Sequence, residues 1–157
     1  MQDFKVNTGG LRNEKPLTQK QITKAVNYSV ELNMPRERIA YSDIYITGYG
    51  PMSDTLLLGT DLYPIKNTSD NTNSANSRIT WRGTIGHELI GHREAAQKGW
   101  TQDNETFEEA QASIRAARFT PNLNLLERII LLRDAVSRLP KGIKIRNIKD
   151  SLHISER

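Results

Sequence analysis

In the stretch GTIGHELIGHREAAQKGW, residues 83–100, His87 and His92 stand five positions apart, and Gly83, Gly86 and Gly91 interrupt what otherwise reads as a helix. Successive residues of an α-helix turn by about 100°, so side chains four apart diverge by about 40° and side chains five apart by about 140°. A regular helix therefore keeps these two rings off a common face. One additional residue accommodated as a π turn restores that face. Gly91, directly before His92, tolerates the backbone distortion this needs. Three glycines make a poor helix by propensity. The local conflict points to a functional or close-packing demand on this segment.

The rest of the chain limits what that demand can be. With 157 residues it reads as a single domain, 1–157, long enough to bury a core, with residues 1–15 expected to be weakly ordered. It has no cysteine, which excludes disulfides, thiolate metal sites and a cysteine nucleophile; a metal here would be held by His, Asp or Glu. No apolar run reaches the roughly 18–20 residues of a membrane span, and the start MQDFKVNTGG has neither the basic nor the apolar region of a signal peptide. Residues 115–157 carry ten Lys/Arg against four Asp/Glu, a charge of +6, while the remainder is at −2. That basic third admits a nucleic-acid-directed toxin or binding domain as an alternative function. A single aromatic residue, Phe119, stands among the charges, which favours a solvated helix face.

The coarse pattern is α+β: an N-terminal helix and a β-hairpin, followed by a bundle of three helices. In PLTQKQITKAVNYSVELNM, Thr18 caps a helix whose Ile22, Ala25, Val26, Ser29, Val30 and Met34 recur at helical spacing, and Pro35 ends it. RIAYSDIYITGYG and DTLLLGTDLYPI read as two strands joined by a turn, and KNTSDNTNSANS, residues 66–77, as a surface loop. Helices are expected at about Thr80–Lys98, ending at Gly99, at about Asn104–Phe119, and at about Leu123–Leu139. The last of these has Leu126, Ile129, Ile130, Arg133 and Val136 on overlapping faces. The tail GIKIRNIKDSLHIS suits a short strand or a short helix.

Two histidines do not complete a catalytic zinc site, which takes three protein ligands and one open position. Glu108 and Glu109, sixteen and seventeen residues after His92, lie where the next helix can run alongside the first. Either can be the third ligand. Ala95, Ala96, Ala110, Ala112, Ser113, Ala116 and Ala117 are small enough to let the two helices approach. Glu88, adjacent to a ligand but pointing elsewhere, is placed to take a proton from a metal-activated water and pass it to a leaving amine.

HELIGH resembles the His-Glu-x-x-Gly-His signature of the dipeptidyl-peptidase III family of zinc peptidases, and EEAQAS resembles that family's downstream Glu-Glu-x-x-Ala motif, with Ala112 at the alanine position. The resemblance implies a gluzincin-like metallopeptidase core. Zn2+ would be held by His87, His92 and Glu109, Glu88 would be the general base, and Glu108 would orient a ligating histidine. It covers only about residues 84–113, so neither substrate lobes nor dipeptide release carry over. The wider run SRITWRGTIGHELIGHREAA also looks like the C-terminal toxin domains of bacterial polymorphic (Rhs-type) secreted proteins. That likeness implies an effector domain delivered by a bacterial secretion system as part of a larger secreted protein, a protein or peptide substrate, and a cognate immunity protein as partner. A metal-stabilised interaction domain without catalysis is a further alternative.

Competing assignments exist for several of these residues. Thr106 and Glu109 have capping-box spacing, which would make Glu109 a helix-start residue; with Asn104 or Asp103 as the cap, Glu109 lies inside the helix and is free for a metal. His153, Tyr63 and Arg115 are candidates for an oxyanion or substrate contact, as are Tyr41, Tyr45 and Tyr49. Packing or ion pairs are the default for all of them, as for Arg118, Arg128 and Arg133. Asp61 suits a turn or cap. The hairpin at about Arg38–Ile65 can hold a substrate backbone by strand addition.

Overall fold

The computed structural model describes residues 6–65 and 74–157, and the architecture is α+β. Helix α1 (Gln19–Glu31) opens on a capping box: Thr18 accepts the Gln21 N–H and the Gln21 side chain returns to the Thr18 N–H. It stops before Pro35, where Asn33 takes the left-handed conformation (φ 72°). Three short strands follow: β1 (Ile39–Tyr41), β2 (Gly48–Gly50) and β3 (Thr55–Leu58).

The expected two-stranded hairpin is replaced by a three-stranded mixed sheet of order β1-β3-β2, with β1 parallel and β2 antiparallel to β3. The first apolar run breaks in two because the Ser42 hydroxyl accepts the N–H groups of Ile44 and Tyr45, turning the chain out of the strand. Leu56 and Leu58 point into the core while β2 is left as a free edge.

Of the expected surface loop, residues 66–73 lie outside the described residues; its end folds instead as the short helix α2 (Ala75–Arg78), capped by Ser74. A continuous helical run then comprises α3 (Trp81–Gly86), a π-helical segment (His87–Arg93) and α4 (Glu94–Gln97). Thr80 starts it by accepting the Gly83 N–H, and the same hydroxyl donates to buried Glu127. Glu127 also closes the capping box of α6 (Leu125–Arg138) with Asn124, so the starts of the two helices are tied together.

Between them runs α5 (Glu105–Phe119), in which the eight residues 110–117 are all buried. Ala110, Ala112, Ala116 and Ala117 allow neighbours on every side, and three apolar clusters surround the helix. One lies between α1, the sheet and the motif helix (Leu32, Leu56, Ile85, Leu89), one toward α6 (Ala116, Leu123, Leu131), and one toward α7 (Ile114, Ala135, Leu152). The tail is helical, α7 (Ile145–Leu152).

The face of α6 is not the one its sequence suggests. Leu131 and Ala135 are buried, whereas Leu126, Ile129 and Val136 are exposed. Apolar residues occur on every side of this helix, so periodicity does not select the inward one. Near the start of the described chain, Arg12 is buried and its guanidinium donates to the carbonyls of Asp61, Asn76, Leu62 and Ile79 at 2.6–3.0 Å. Burial pushes its pKa down to about 10 against the pull of Asp61 and Asp134. No helix among the described residues is long and apolar enough to cross a membrane.

Candidate metal centre

The π segment brings the two histidines together. The Glu94 N–H donates to the Leu89 carbonyl five residues back, the hydrogen bond that defines this geometry. The Nε2 atoms of His87 and His92 lie 3.1 Å apart, with ring centroids 4.7 Å apart and the rings nearly perpendicular.

What Gly91 supplies is space. It is not among the positive-φ residues, and a Cβ built on it would lie 2.7 Å from the Cα and 2.8 Å from the carbonyl carbon of Ala112. Gly86 is similarly crowded by the Thr120 side chain. These contacts draw α5 against the motif helix and place Glu109 beside both rings: its Oε2 is 2.9 Å from His87 Nε2 and its Oε1 is 3.3 Å from His92 Nε2. Asn104, accepting the N–H groups of Thr106 and Phe107, is the cap of α5. Glu109 is therefore inside the helix and has no capping duty.

The tautomer of His87 follows from a buried chain behind it. The Ser113 hydroxyl has one proton and donates it to Asp134 Oδ2 at 2.7 Å. Ser113 Oγ can then only accept, so His87 Nδ1, 2.9 Å away, is the donor and carries the proton. The neutral ring consequently presents the Nε2 lone pair to Glu109 and His92. His87 Nε2, a carboxylate oxygen of Glu109 and His92 Nε2 thus converge on one point, where either a shared proton or a metal ion satisfies them.

A proton on the rings is one way to satisfy the cluster. Burial alone would favour a neutral His92, but the hydrogen bond to Glu109 and the charges of Glu88, Glu109 and Glu108 raise its pKa. Burial alone would raise Glu109, yet hydrogen bonds and charge from both histidines hold it below the usual carboxylate range. The dimensions also suit a small metal. Two ligand atoms each about 2.0–2.1 Å from a tetrahedral zinc lie roughly 3.3 Å apart, and the separations here are 3.1, 2.9 and 3.3 Å.

Glu88 lies near the same two rings. Ligand atoms of His87, Glu88 and His92 lie within 4.8 Å of one another, so these three form a group able to hold a metal ion. Glu88 makes no hydrogen bond to either ring among the described residues; its Oε2 accepts the N–H of Tyr49, on the free edge of β2, at 3.0 Å. An adjoining cleft of about 230 Å3 is lined by His87, Glu88, Glu109, Arg12, Thr47 and Arg138, among others.

Other sequence candidates lie outside this cluster. Glu108 accepts the Gln102 N–H at 2.5 Å, and the hydrogen bond that orients a histidine comes from Ser113 instead. His153 stacks on Trp100 at 4.7 Å. Tyr63 stacks on Trp81 at 6.0 Å. Arg115 is fully buried, donating to the carbonyls of His153 and Glu156. Tyr41 donates to Asp43 and Tyr49 to Asp54, while Tyr45 is exposed. Asp61 accepts from the backbone and hydroxyl of Thr47, a turn role.

Much of the basic C-terminal charge is spent internally. Arg118 donates to the Ile154 carbonyl, and Arg128 to those of Ala117 and Thr120 at the end of α5. Ser113, Asp134 and Arg138 were not legible as site residues. Ser113 follows Glu109 by one helical turn, the only signal available, and the other two come from a helix in no recognisable register with the motif.

Replacing Ser113 with Ala removes the acceptor that fixes His87. Metal affinity is expected to fall about 10–100-fold with stoichiometry retained, read by chelator competition; unchanged affinity would mean that the Nδ1 contact does not orient the ring.

No family model, no curated protein and no solved structure matches the chain, so a His87-Glu88-His92 group able to bind a metal ion, set in a π-helical segment, is what the molecule itself establishes.

Proposed function

We propose that this chain is a zinc-dependent peptidase, with the ion held by His87 and His92 through Nε2 and by Glu109 through a carboxylate oxygen. The observation that carries the reading is the convergence of these three groups within 2.9–3.3 Å while Ser113, donating to Asp134, stands 2.9 Å from the far nitrogen of His87. A nitrogen and oxygen donor set without thiolate fits zinc in a hydrolytic site. Bound there, zinc would supply a Lewis acid that polarises a carbonyl and acidifies a water.

The remaining chemistry falls to the protein. Glu88 accepts the proton of the attacking water on Oε1, since Oε2 is engaged by Tyr49. As the water oxygen bonds to the carbonyl carbon and the C–N bond breaks, Glu88 returns that proton to the departing amine. β2 is an outer strand of the sheet whose Tyr49 N–H is taken by Glu88, and a peptide laid along it would pair through the remaining backbone groups, which supports a peptide as substrate.

Metal analysis is the direct test. One zinc per chain is expected in the purified protein, falling to near zero in His92→Ala. A wild type that binds no zinc after reconstitution would remove the proposal. One that binds zinc yet cleaves no peptide in a diverse mixture would leave a structural metal site.

A further inference from the structure

An attacked carbonyl needs a donor for its developing negative oxygen, and the sequence candidates for that part, His153, Tyr63 and Arg115, do not line the cleft beside His87. Two cations line the cleft beside the histidines, Arg12 and Arg138. Arg12 is buried and bonded through all three of its nitrogens, holding four backbone carbonyls.

Arg138 differs. Its Nε donates to Asp134 Oδ2 at 2.9 Å, and Nη1 stands 4.0 Å from Glu109 Oε2, outside hydrogen-bond distance. Among the described residues its terminal N–H groups have no hydrogen-bond partner, and the side chain is 31% exposed.

We propose that Arg138 is a catalytic residue: its terminal N–H groups receive the oxyanion formed when the substrate carbonyl is attacked. This rests on the peptidase reading above and extends it.

Three observations support the assignment. First, the guanidinium is pre-oriented. Asp134 is buried and held from behind by Ser113, so one edge of Arg138 is fixed while the other faces the cleft. Preorganised donors of this kind are worth most where water is excluded. Second, the position is close in. Arg138 is 4.0 Å from a carboxylate that itself touches both imidazoles. A cation reading the free carboxylate at a peptide's end would stand at least one residue, about 3.8 Å, farther along the chain. Third, the cleft needs a positive donor. Glu88 and Glu109 both line it, and a negative oxygen entering between them would be repelled without one.

The test compares Arg138→Gln and Arg138→Lys with wild type in the zinc-loaded full chain. It uses quenched-fluorescent peptides with free or amidated C-termini, and phenylphosphonate as a probe for a tetrahedral oxyanion. Gln keeps a donor for Asp134. Its kcat is expected to fall about 10²–10³-fold, with KM changed less than about threefold and zinc content intact. Phenylphosphonate binding by calorimetry should weaken about tenfold or more, and Lys should restore part of kcat.

Unchanged kcat overturns the proposal. So does a rise in KM confined to peptides with a free C-terminus, which would make Arg138 a reader of the chain end. If the Gln variant loses zinc, the Lys variant decides: reduced kcat at full zinc supports the assignment, unreduced kcat at full zinc overturns it, and zinc loss in both makes Arg138 a positioning residue for Asp134. If wild type binds zinc but cleaves no peptide, the peptidase reading fails by itself, and the phosphonate arm still decides whether Arg138 receives an oxyanion. Absence of zinc from wild type ends both.

Discussion

Glu88→Gln is expected to retain one zinc per chain while peptide hydrolysis falls by about 10²–10⁴-fold, the usual worth of a positioned general acid–base. Gln is isosteric, and its amide oxygen can still accept the Tyr49 N–H, so the edge of β2 and the π segment should stay in place. What is lost is the basic Oε1. The same substitution discriminates between the two carboxylates at the site, because Glu88 and Glu109 are both near enough to the histidines to ligate. If Glu88 is the base, zinc binding survives Glu88→Gln and fails in Glu109→Gln. If metal content instead follows Glu88, as determined by atomic absorption after dialysis, Glu88 is the third ligand and the assignment of Glu109 is wrong. Full activity in Glu88→Gln would remove Glu88 from the mechanism altogether.

The second large effect concerns packing. Gly91→Ala should destabilise the fold by about 3 kcal/mol, the upper part of the range for overpacking. Helix propensity argues the other way, since Ala is favoured over Gly by about 1 kcal/mol. Propensity loses because the added Cβ would meet the backbone of Ala112, at 2.7 and 2.8 Å from its Cα and carbonyl carbon, and no rotamer change relieves a backbone contact. The alternative to unfolding is separation of α5 from the π segment, which would carry Glu109 away from the rings. Thermal melts should therefore shift down by about 6–12 °C, with metal affinity reduced in whatever remains folded. Gly86→Ala offers the contrast, since its obstacle is the Thr120 side chain. Trimming Thr120 to Ala should recover most of that loss, whereas no single side-chain change should rescue Gly91→Ala. A Gly91→Ala protein that melts within a degree or two of wild type would show that the helices are not held at this distance.

Taken alone, the amino-acid sequence determined the local structure and half of the site. The five-residue histidine spacing, with glycines around it, demanded a distorted helix, because helical geometry permits no other common face. Asn104 and Thr18 fixed helix starts through side-chain caps, and Gly99 (φ +73°) fixed a helix end, since these effects act within one turn. The direct pairing of β1 with β3, skipping β2 in the chain, the inward face of α6 and the route of the α7 tail were decided only by tertiary structure. Strands of three or four residues hold too little pattern to specify partners, and a helix with leucine and isoleucine on every side has no face to read.

The same division runs through the site. His87, Glu88 and His92 lie within six consecutive residues and were legible together, and Glu109, proposed as the third ligand, was suggested by the neighbouring helix. The proton on His87 Nδ1 depends on Ser113 and, through it, on Asp134, and among the described residues the partly free cation lining the cleft is Arg138. Asp134 and Arg138 are separated from the motif by a complete helix, and nothing local links them to a histidine. They enter the site because α5 is small enough along residues 110–117 for α6 to pack directly behind it. Close packing of three helices thus decides which polar groups finish a centre that the motif begins.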